Sequence, residues 1–306
     1  MAKIALYLMT EKGLEVLERI FSVDPSIVSH VVVGRDSNLK MDHGDEIEAR
    51  CTAARIRCFA RENAPDVEED TFVLAVSWRW MIVHPSARLI IFHDSLLPKY
   101  RGFSPLVNML INGETRIGVS AVFGAQDYDR GDIIAQRWTE ITYPIRIADA
   151  IRINNRNYAD LAEEIVRLIS NSKPLVGQPQ NEADASYSIW RDRDDYFVDW
   201  SRSASDIRRM IDAVGSPYAG ARTMTSRGEE VVIEDAVEVA DVACELRHPG
   251  KVLFVEQGAP TVICGAGLLR IEKASLVTPG GPVDFLPVRN FRIRFQSLEF
   301  ARAAGV

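Results

Sequence analysis

Short apolar runs alternate with amphipathic stretches through the first 170 or so residues. Lys3 to Met9 predicts a strand, and Leu14, Val16, Leu17 and Ile20 fall on one face of a helix behind it, with Thr10 as its N-cap. Ile27 to Val33 predicts a second strand ended by Gly34, and Asp45 to Cys58 a helix with Ile47, Cys51 and Ala54 on one face. A buried strand follows at Thr71 to Val76, and further strands at Leu89 to Phe92, Ile117 to Phe123 and Ile133 to Thr142. Pro144 breaks the last of these, and Ile147 to Ser170 predicts a long helix with Ile151, Tyr158, Leu161, Ile165 and Leu168 on one stripe. Such alternation predicts a Rossmann-like α/β fold, a mostly parallel sheet covered on both faces.

The pattern changes at Lys173-Pro174 and Gly177-Gln178-Pro179, a run of turn residues. Beyond it come a helix from Ser203 to Val214, ended by Gly215, and short strands at Val231 to Ile233, Lys251 to Val255, Thr261 to Cys264 and Leu268 to Ala274. Short strands separated by Gly and Pro predict a small antiparallel β-barrel. The expected organisation is therefore an α/β domain at 1–175, a linker at 176–202 and a β-rich domain at 203–306.

Charge and cysteine usage narrow the function classes. The 306 residues carry a formal net charge of −7, which repels nucleic acid unless a local basic patch overrides it. Only Arg289, Arg292 and Arg294 cluster, and from 201 onwards 13 Lys/Arg face 13 Asp/Glu. A nucleic-acid partner is disfavoured. Cys51, Cys58, Cys244 and Cys264 lack C-x-x-C spacing and fit buried small hydrophobes of a cytoplasmic protein. No metal site is expected from the scattered histidines, and no apolar run is long enough for a membrane helix.

Candidate chemistry concentrates between Ile91 and Asp132. The strand at Leu89 delivers His93 to its C-terminal end, where ligands of open α/β sheets sit. After the next strand, a short acidic loop presents Asp127, Asp129 and Asp132 around Gly131. A histidine and a carboxylate on loops of neighbouring strands suit general acid–base work. The segment Ser77-Trp78-Arg79-Trp80-Met81 ends the preceding strand, and its aromatics fit either core packing or a ligand loop. Gly13 alone, without G-x-G-x-x-G, is weak evidence for phosphate binding.

The run H-x-S-L-L-P-x-x-R-G-x-x-P from His93, followed by D-x-G-D, resembles the 10-formyltetrahydrofolate-dependent formyltransferases. Asp199-Trp200-Ser201 and Pro217 to Ala221 resemble the start of that family's C-terminal domain, so the likeness covers nearly the whole chain and implies an OB-like barrel there. The resemblance places His93 and Asp129 on the catalytic His and Asp, and Ile91 on the position of a catalytic Asn. It implies 10-formyltetrahydrofolate as co-substrate, its pterin held by Ser77, Trp78, Arg79, Trp80 and Met81 and by Gly124, Gln126, Asp127 and Tyr128. Ser95 and Arg101 are expected to fix the loop after His93.

The implied reaction is attack of an amine on the formyl carbon, with His93 serving the oxyanion or the proton and Asp129 orienting His93 or a water. A small-molecule amine, foremost a nucleotide-linked amino sugar, is the expected acceptor. Methionyl-tRNA formylation and a degenerate folate-binding homologue without turnover are the alternatives, and a homodimer stays open. Because strand residues alternate faces, Ile91 and His93 should point the same way.

Overall fold

The computed structural model describes residues 2–36 and 41–298; residues 299–306 of the expected second domain lie outside it. The chain divides into two compact units. The first comprises residues 1–105, 116–140 and 151–189, and the second residues 106–115, 141–150 and 190–306.

The first unit is built on a seven-stranded sheet. Its strands are β1 (Ile4–Leu8), β2 (Val28–Val33), β3 (Cys58–Ala60), β4 (Phe72–Val76), β5 (Leu89–His93), β7 (Arg116–Phe123) and β8 (Ile133–Glu140), in the order β3-β2-β1-β4-β5-β7-β8. The first five are parallel, while β7 runs antiparallel to both β5 and β8. A two-stranded ladder of β6 (Arg101–Gly102) and β9 (Tyr187–Ser188) stands apart.

One face of the sheet, with Leu6, Leu74, Ile90 and Phe92, packs against α1 (Thr10–Val23), α2 (Gly44–Ala54) and α4 (Ile147–Ser170) through Val16, Leu17, Ile20, Ile47, Cys51, Tyr158, Leu161 and Ile165. The other face differs from the expected helical cover. Ala5, Tyr7, Val73, Ala75 and Leu89 are covered by Val67, Trp78 and Ile82 from irregular chain, with Ile91 at the edge of the same cluster. Chain direction accounts for this. The path from β1 to β3 moves one way along the sheet, and the path through β4 to β5 moves the other way, so right-handed crossovers place the later connections on the opposite face. Those connections, 61–71 and 77–88, contain only 3₁₀ turns.

Local differences have local causes. Thr10 is the first helical residue of α1 rather than its N-cap, and Met9 caps without a side-chain bond. The Thr10 hydroxyl instead donates to Ser77 Oγ at 3.2 Å. Helix α2 stops at Ala54 because Arg55 turns left-handed, which frees Cys58 to join β3.

The second unit contains α3 (Pro105–Ile111, from Leu106), unforeseen because the P-L-V-N run is too short to show a helical period, and α5 (Ala204–Val214). Ser203 caps α5, its hydroxyl accepting from Asp206 N at 3.1 Å. A curled antiparallel sheet follows: β10 (Ala221–Thr225), β11 (Glu230–Val239), β12 (Val252–Glu256), β13 (Ala259–Ile263), β14 (Leu268–Leu276), β15 (Val283–Asp284) and β16 (Phe295–Gln296). Strand β11 extends well past Ile233 because a register shift beside Asp235 accommodates its acidic pair. Glu234 then pairs with Lys273 at 2.7 Å, and Asp235 with Arg146 at 2.7 Å.

Candidate functional site

His93 ends β5 almost fully buried. Its Nδ1 lies 3.2 Å from Asp129 Oδ1, and its Nε2 lies 2.8 Å from the carbonyl oxygen of Tyr100. Both neighbours are acceptors, so both ring nitrogens are called on to carry protons, and the site favours the imidazolium. Burial alone pulls His93 down; the Asp129 hydrogen bond and charge, the Tyr100 carbonyl and the charge of Asp94 outweigh it, and His93 titrates above its ordinary value. Burial likewise works to raise Asp129, but His93, the Gly102 N–H and the charge of Arg101 hold its carboxyl below the ordinary carboxylate range.

The loops that bring the pair together are closely determined. After His93, Ser95 Oγ donates to Lys99 O at 2.7 Å, and Ser120 Oγ donates to Ser95 O at 2.7 Å while accepting from Leu97 N at 3.0 Å. Ser95 therefore has the fixing role expected of it. Gly102 N donates to Asp129 Oδ2 at 2.8 Å. A side chain at Gly102, where φ is +96°, would meet Ser188 O at 2.5 Å, so the ladder with β9 requires glycine there. Thr10, Ser77, Tyr100, Ser104 and Asp129 also have positive φ. Backbone held in sparsely populated conformations gathers where the rest of the structure over-determines it, and functional loops are the usual place.

Asp94, next to His93, is held from two elements. Lys12 Nζ donates to its Oδ2 at 2.6 Å, and Asn154 Nδ2 donates to its Oδ1 at 2.6 Å. Asn157 donates in turn to Asn154 Oδ1 at 3.1 Å. Neither this network nor the role of Gln180, whose Nε2 donates to the carbonyls of Asp129 and Gly131 at 2.8 Å each, was visible in the sequence. Their residue types carry no periodic signal, and Asn154 and Gln180 reach Asp94, Asp129 and Gly131 from 49 to 60 positions away.

The remaining expected site residues fall in two loops. Ser77 follows β4 and accepts from Thr10. Trp78 packs edge-on against Tyr7 and Trp80, with centroids 5.0 and 5.1 Å away. Arg79 pairs with the buried Asp36, Trp80 lies under Arg61 at 4.5 Å, and Met81 is exposed. In the second loop, Gly124 N donates to Leu89 O at 2.8 Å, and Gln126, Asp127 and Tyr128 are exposed beside Asp129. Ile91 shares a face with Leu89 and His93, packs with the Tyr7–Trp78 cluster, and offers no polar atom. Asn108 lies in the second unit, where its Oδ1 accepts from Arg191 at 2.7 Å. Among the described residues no His, Cys, Asp and Glu cluster could hold a metal, and no helix is long and apolar enough to cross a membrane.

An open α/β sheet presenting a histidine–carboxylate pair at a strand end has the groups and the placement that general acid–base chemistry uses. A formyl transferase model matches residues 71–152, which contain this pair, and a formyl transferase C-terminal domain model matches residues 191–278. The chain belongs to the formyl transferase family, a family of enzymes. It is 28% identical over 229 residues to a methionyl-tRNA formyltransferase of Marinobacter nauticus, covering 71% of this chain and 70% of that one. To the methionyl-tRNA formyltransferase of a Roseiflexus species it is 32% identical over 193 residues, 63% of this chain but only 58% of the relative. Its fold is similar to that of an N-formyltransferase from Helicobacter canadensis, crystallised with folinic acid and dTDP-3-aminofucose. The TM-score is 0.70 at 18% identity, covering 89% of this chain and 98% of that one. A sugar 3N-formyl transferase, WlaRD, crystallised with dTDP and 5-N-formyl-THF, gives 0.68 at 16% identity, covering 94% and 98%.

Proposed function

We propose that this chain moves a formyl group from 10-formyltetrahydrofolate to a primary amine, with His93 and Asp129 as its catalytic pair. The observation that carries the reading is the buried contact of 3.2 Å between His93 and Asp129 within the family-matched segment. The amine lone pair attacks the formyl carbon, and the carbonyl electrons move onto oxygen. A buried imidazolium suits that oxyanion, provided His93 exchanges its Tyr100 contact for it. Collapse breaks the bond from carbon to N10, and a proton from the attacking amine ends on the leaving nitrogen. Asp129, held as a carboxylate, orients His93 and balances its charge. The pterin is assigned to the loops Ser77–Met81 and Gly124–Tyr128, with the apolar surface of Ile91 between them. Position 91 supplies no oxyanion donor, so turnover rests on His93 and backbone N–H groups.

For the acceptor we favour a nucleotide-linked amino sugar. The net charge of −7 and the evenly balanced charge beyond residue 201 support a small anionic molecule's enzyme less than they oppose a polyanion such as tRNA. The methionyl-tRNA formyltransferase relatives support the second reading, methionyl-tRNA. The test is to incubate the protein with 10-formyltetrahydrofolate and either a panel of nucleotide-linked amino sugars or charged initiator tRNA, following release of tetrahydrofolate. Release with a sugar supports the first acceptor, and release with tRNA alone the second. No release with any amine rejects formyl transfer.

A further inference from the structure

We propose that Gln180 is a positioning residue for the His93–Asp129 pair, its carboxamide held in one orientation by the buried Arg101. The inference rests on the reading of that pair as catalytic, but its first test does not. Gln180 Oε1 accepts from Arg101 Nε at 3.1 Å and Nη2 at 2.7 Å. Its Nε2 donates to Asp129 O and Gly131 O, both at 2.8 Å. Two guanidinium donors on one side and two carbonyl acceptors on the other leave the amide only one way round. Arg101 itself is nearly inaccessible, and Glu182 accepts from its Nη1 and Nη2 at 2.9 and 2.8 Å. A chain of contacts thus runs from Glu182 through Arg101 and Gln180 to the backbone of the acidic loop.

The backbone of that loop decides where the carboxylate goes. Asp129 sits at φ +58°, outside the region a non-glycine residue prefers, so something must hold it there. Gln180 grips the carbonyls of residues 129 and 131, on either side of Arg130. Gly131 lies close against the Phe123 backbone, where a side chain would meet Phe123 O at 1.7 Å, so only glycine fits there. With the backbone so fixed, the carboxylate spans His93 Nδ1 and the Gly102 N–H. Glutamate at 180 would keep the partner of Arg101 but turn an oxygen on two carbonyls. A residue that merely anchors Arg101 tolerates that exchange, whereas a positioning residue does not.

The charged and titratable groups facing His93 are Asp129 from the acidic loop and Asp94 from its own strand end. Asp94 is in turn paired with Lys12 of α1, accepts from Asn154 of α4 and lies near Tyr158 of the same helix, while Arg101 acts on Asp129. The experiment follows the titration of the His93 ring by NMR in the full, ligand-free chain. Wild type is compared with Gln180→Glu, Gln180→Met and Asp129→Asn, alongside thermal unfolding. In Gln180→Glu the His93 midpoint is expected to fall towards that of Asp129→Asn, with folding retained. In the transfer assay, kcat should fall about tenfold or more while KM for the folate stays within about threefold. A wild-type His93 midpoint in Gln180→Glu overturns the proposal, as does failure of both Gln180 variants to fold, which would mark a purely structural residue. A shifted midpoint in a protein that transfers no formyl group supports the positioning role and rejects the proposed function instead.

Discussion

The two faces of β5 meet different demands. Ile90 and Phe92 lie in a core sealed by three helices, at 0% and 5% exposure. Leu89, Ile91 and His93 look the other way, beneath irregular chain that includes the Trp78 loop, with the Asp129 loop closing over the histidine. The helical face is made by side chains that need only be apolar and of the right volume. The loop-covered face is made by hydrogen bonds to particular carbonyls and carboxylates. Packing tolerates exchange and hydrogen-bonded geometry does not, so the second face can hold a reacting group in place at the cost of backbone strain.

The largest effect expected from breaking this contrast is chemical. His93→Ala should lower the formyl transfer rate by about 10²–10⁴, the usual range for a general acid–base group. Single-turnover kinetics under saturating donor measure it directly. A rate equal to wild type would remove His93 from the chemistry.

Next in size is the packing difference between adjacent residues. Ile90→Ala opens a cavity in the helix-covered core and should cost about 2–5 kcal/mol, while Ile91→Ala, on the loop-covered face, should cost about 1 kcal/mol. Urea unfolding of the two variants gives both numbers. If Ile91→Ala proves the more damaging, the loop-covered face is a sealed core as well, and the contrast is wrong.

These faces were unequally legible in the sequence. The strand positions followed from apolar runs, because a strand buried on both sides needs little else. Helix α4 followed from its stripe, since Tyr158, Leu161 and Ile165 all meet the sheet. That the second face lacks helices depends on crossover direction, a property of strand order that no local window contains. The pairing of His93 with Asp129 was expected from the family resemblance, not from residue spacing. Gln180 and Asn154 could not be found either way, because an amide is significant only once its distant partners are placed. The expected strand at Val231 to Ile233 is shorter than β11 for a related reason: the charged Glu234 and Asp235 continue the strand with Lys273 and Arg146 beside them, partners that are distant in the chain.

A sharper test of the loop-covered face is Ile91→Asn. The side chain points with His93 and sits in an apolar cluster, so the exchange adds a hydrogen-bond donor at the cost of some packing. One oxyanion donor typically changes a rate by about 10²–10³, and a donor installed without its surrounding support should recover only part of that, about tenfold. Turnover of wild type and Ile91→Asn, measured side by side with each amine acceptor, is the check. A lower rate in Ile91→Asn would mean that the apolar surface at 91 is itself what the substrate needs.

The smallest effect is the pH dependence of the pair's contribution to stability. His93 is raised in the folded chain, so its contribution is complete below the unfolded histidine value of about 6.5 and is lost as pH rises through the folded value. Asp129 is lowered, so its contribution is complete above the unfolded aspartate value of about 3.9 and is lost as pH falls through the folded value. Both are present together only between roughly pH 4 and 6.5. Asp129→Asn keeps the residue's shape, and asparagine accepts the left-handed backbone at 129 readily, so the variant removes the charge and one of the carboxylate's two acceptors, setting an NH2 against either His93 Nδ1 or the Gly102 N–H. Its unfolding temperature should fall below wild type by about 3 °C near pH 5, with the gap closing towards pH 8 and again below pH 4. Thermal scans across that range decide it. A gap that widens above pH 7 would mean that His93 is neutral in the folded chain, bonded to Asp129 through one proton with Nε2 unprotonated. The Tyr100 carbonyl could then not accept from it, and the charge on which the oxyanion argument depends would be absent.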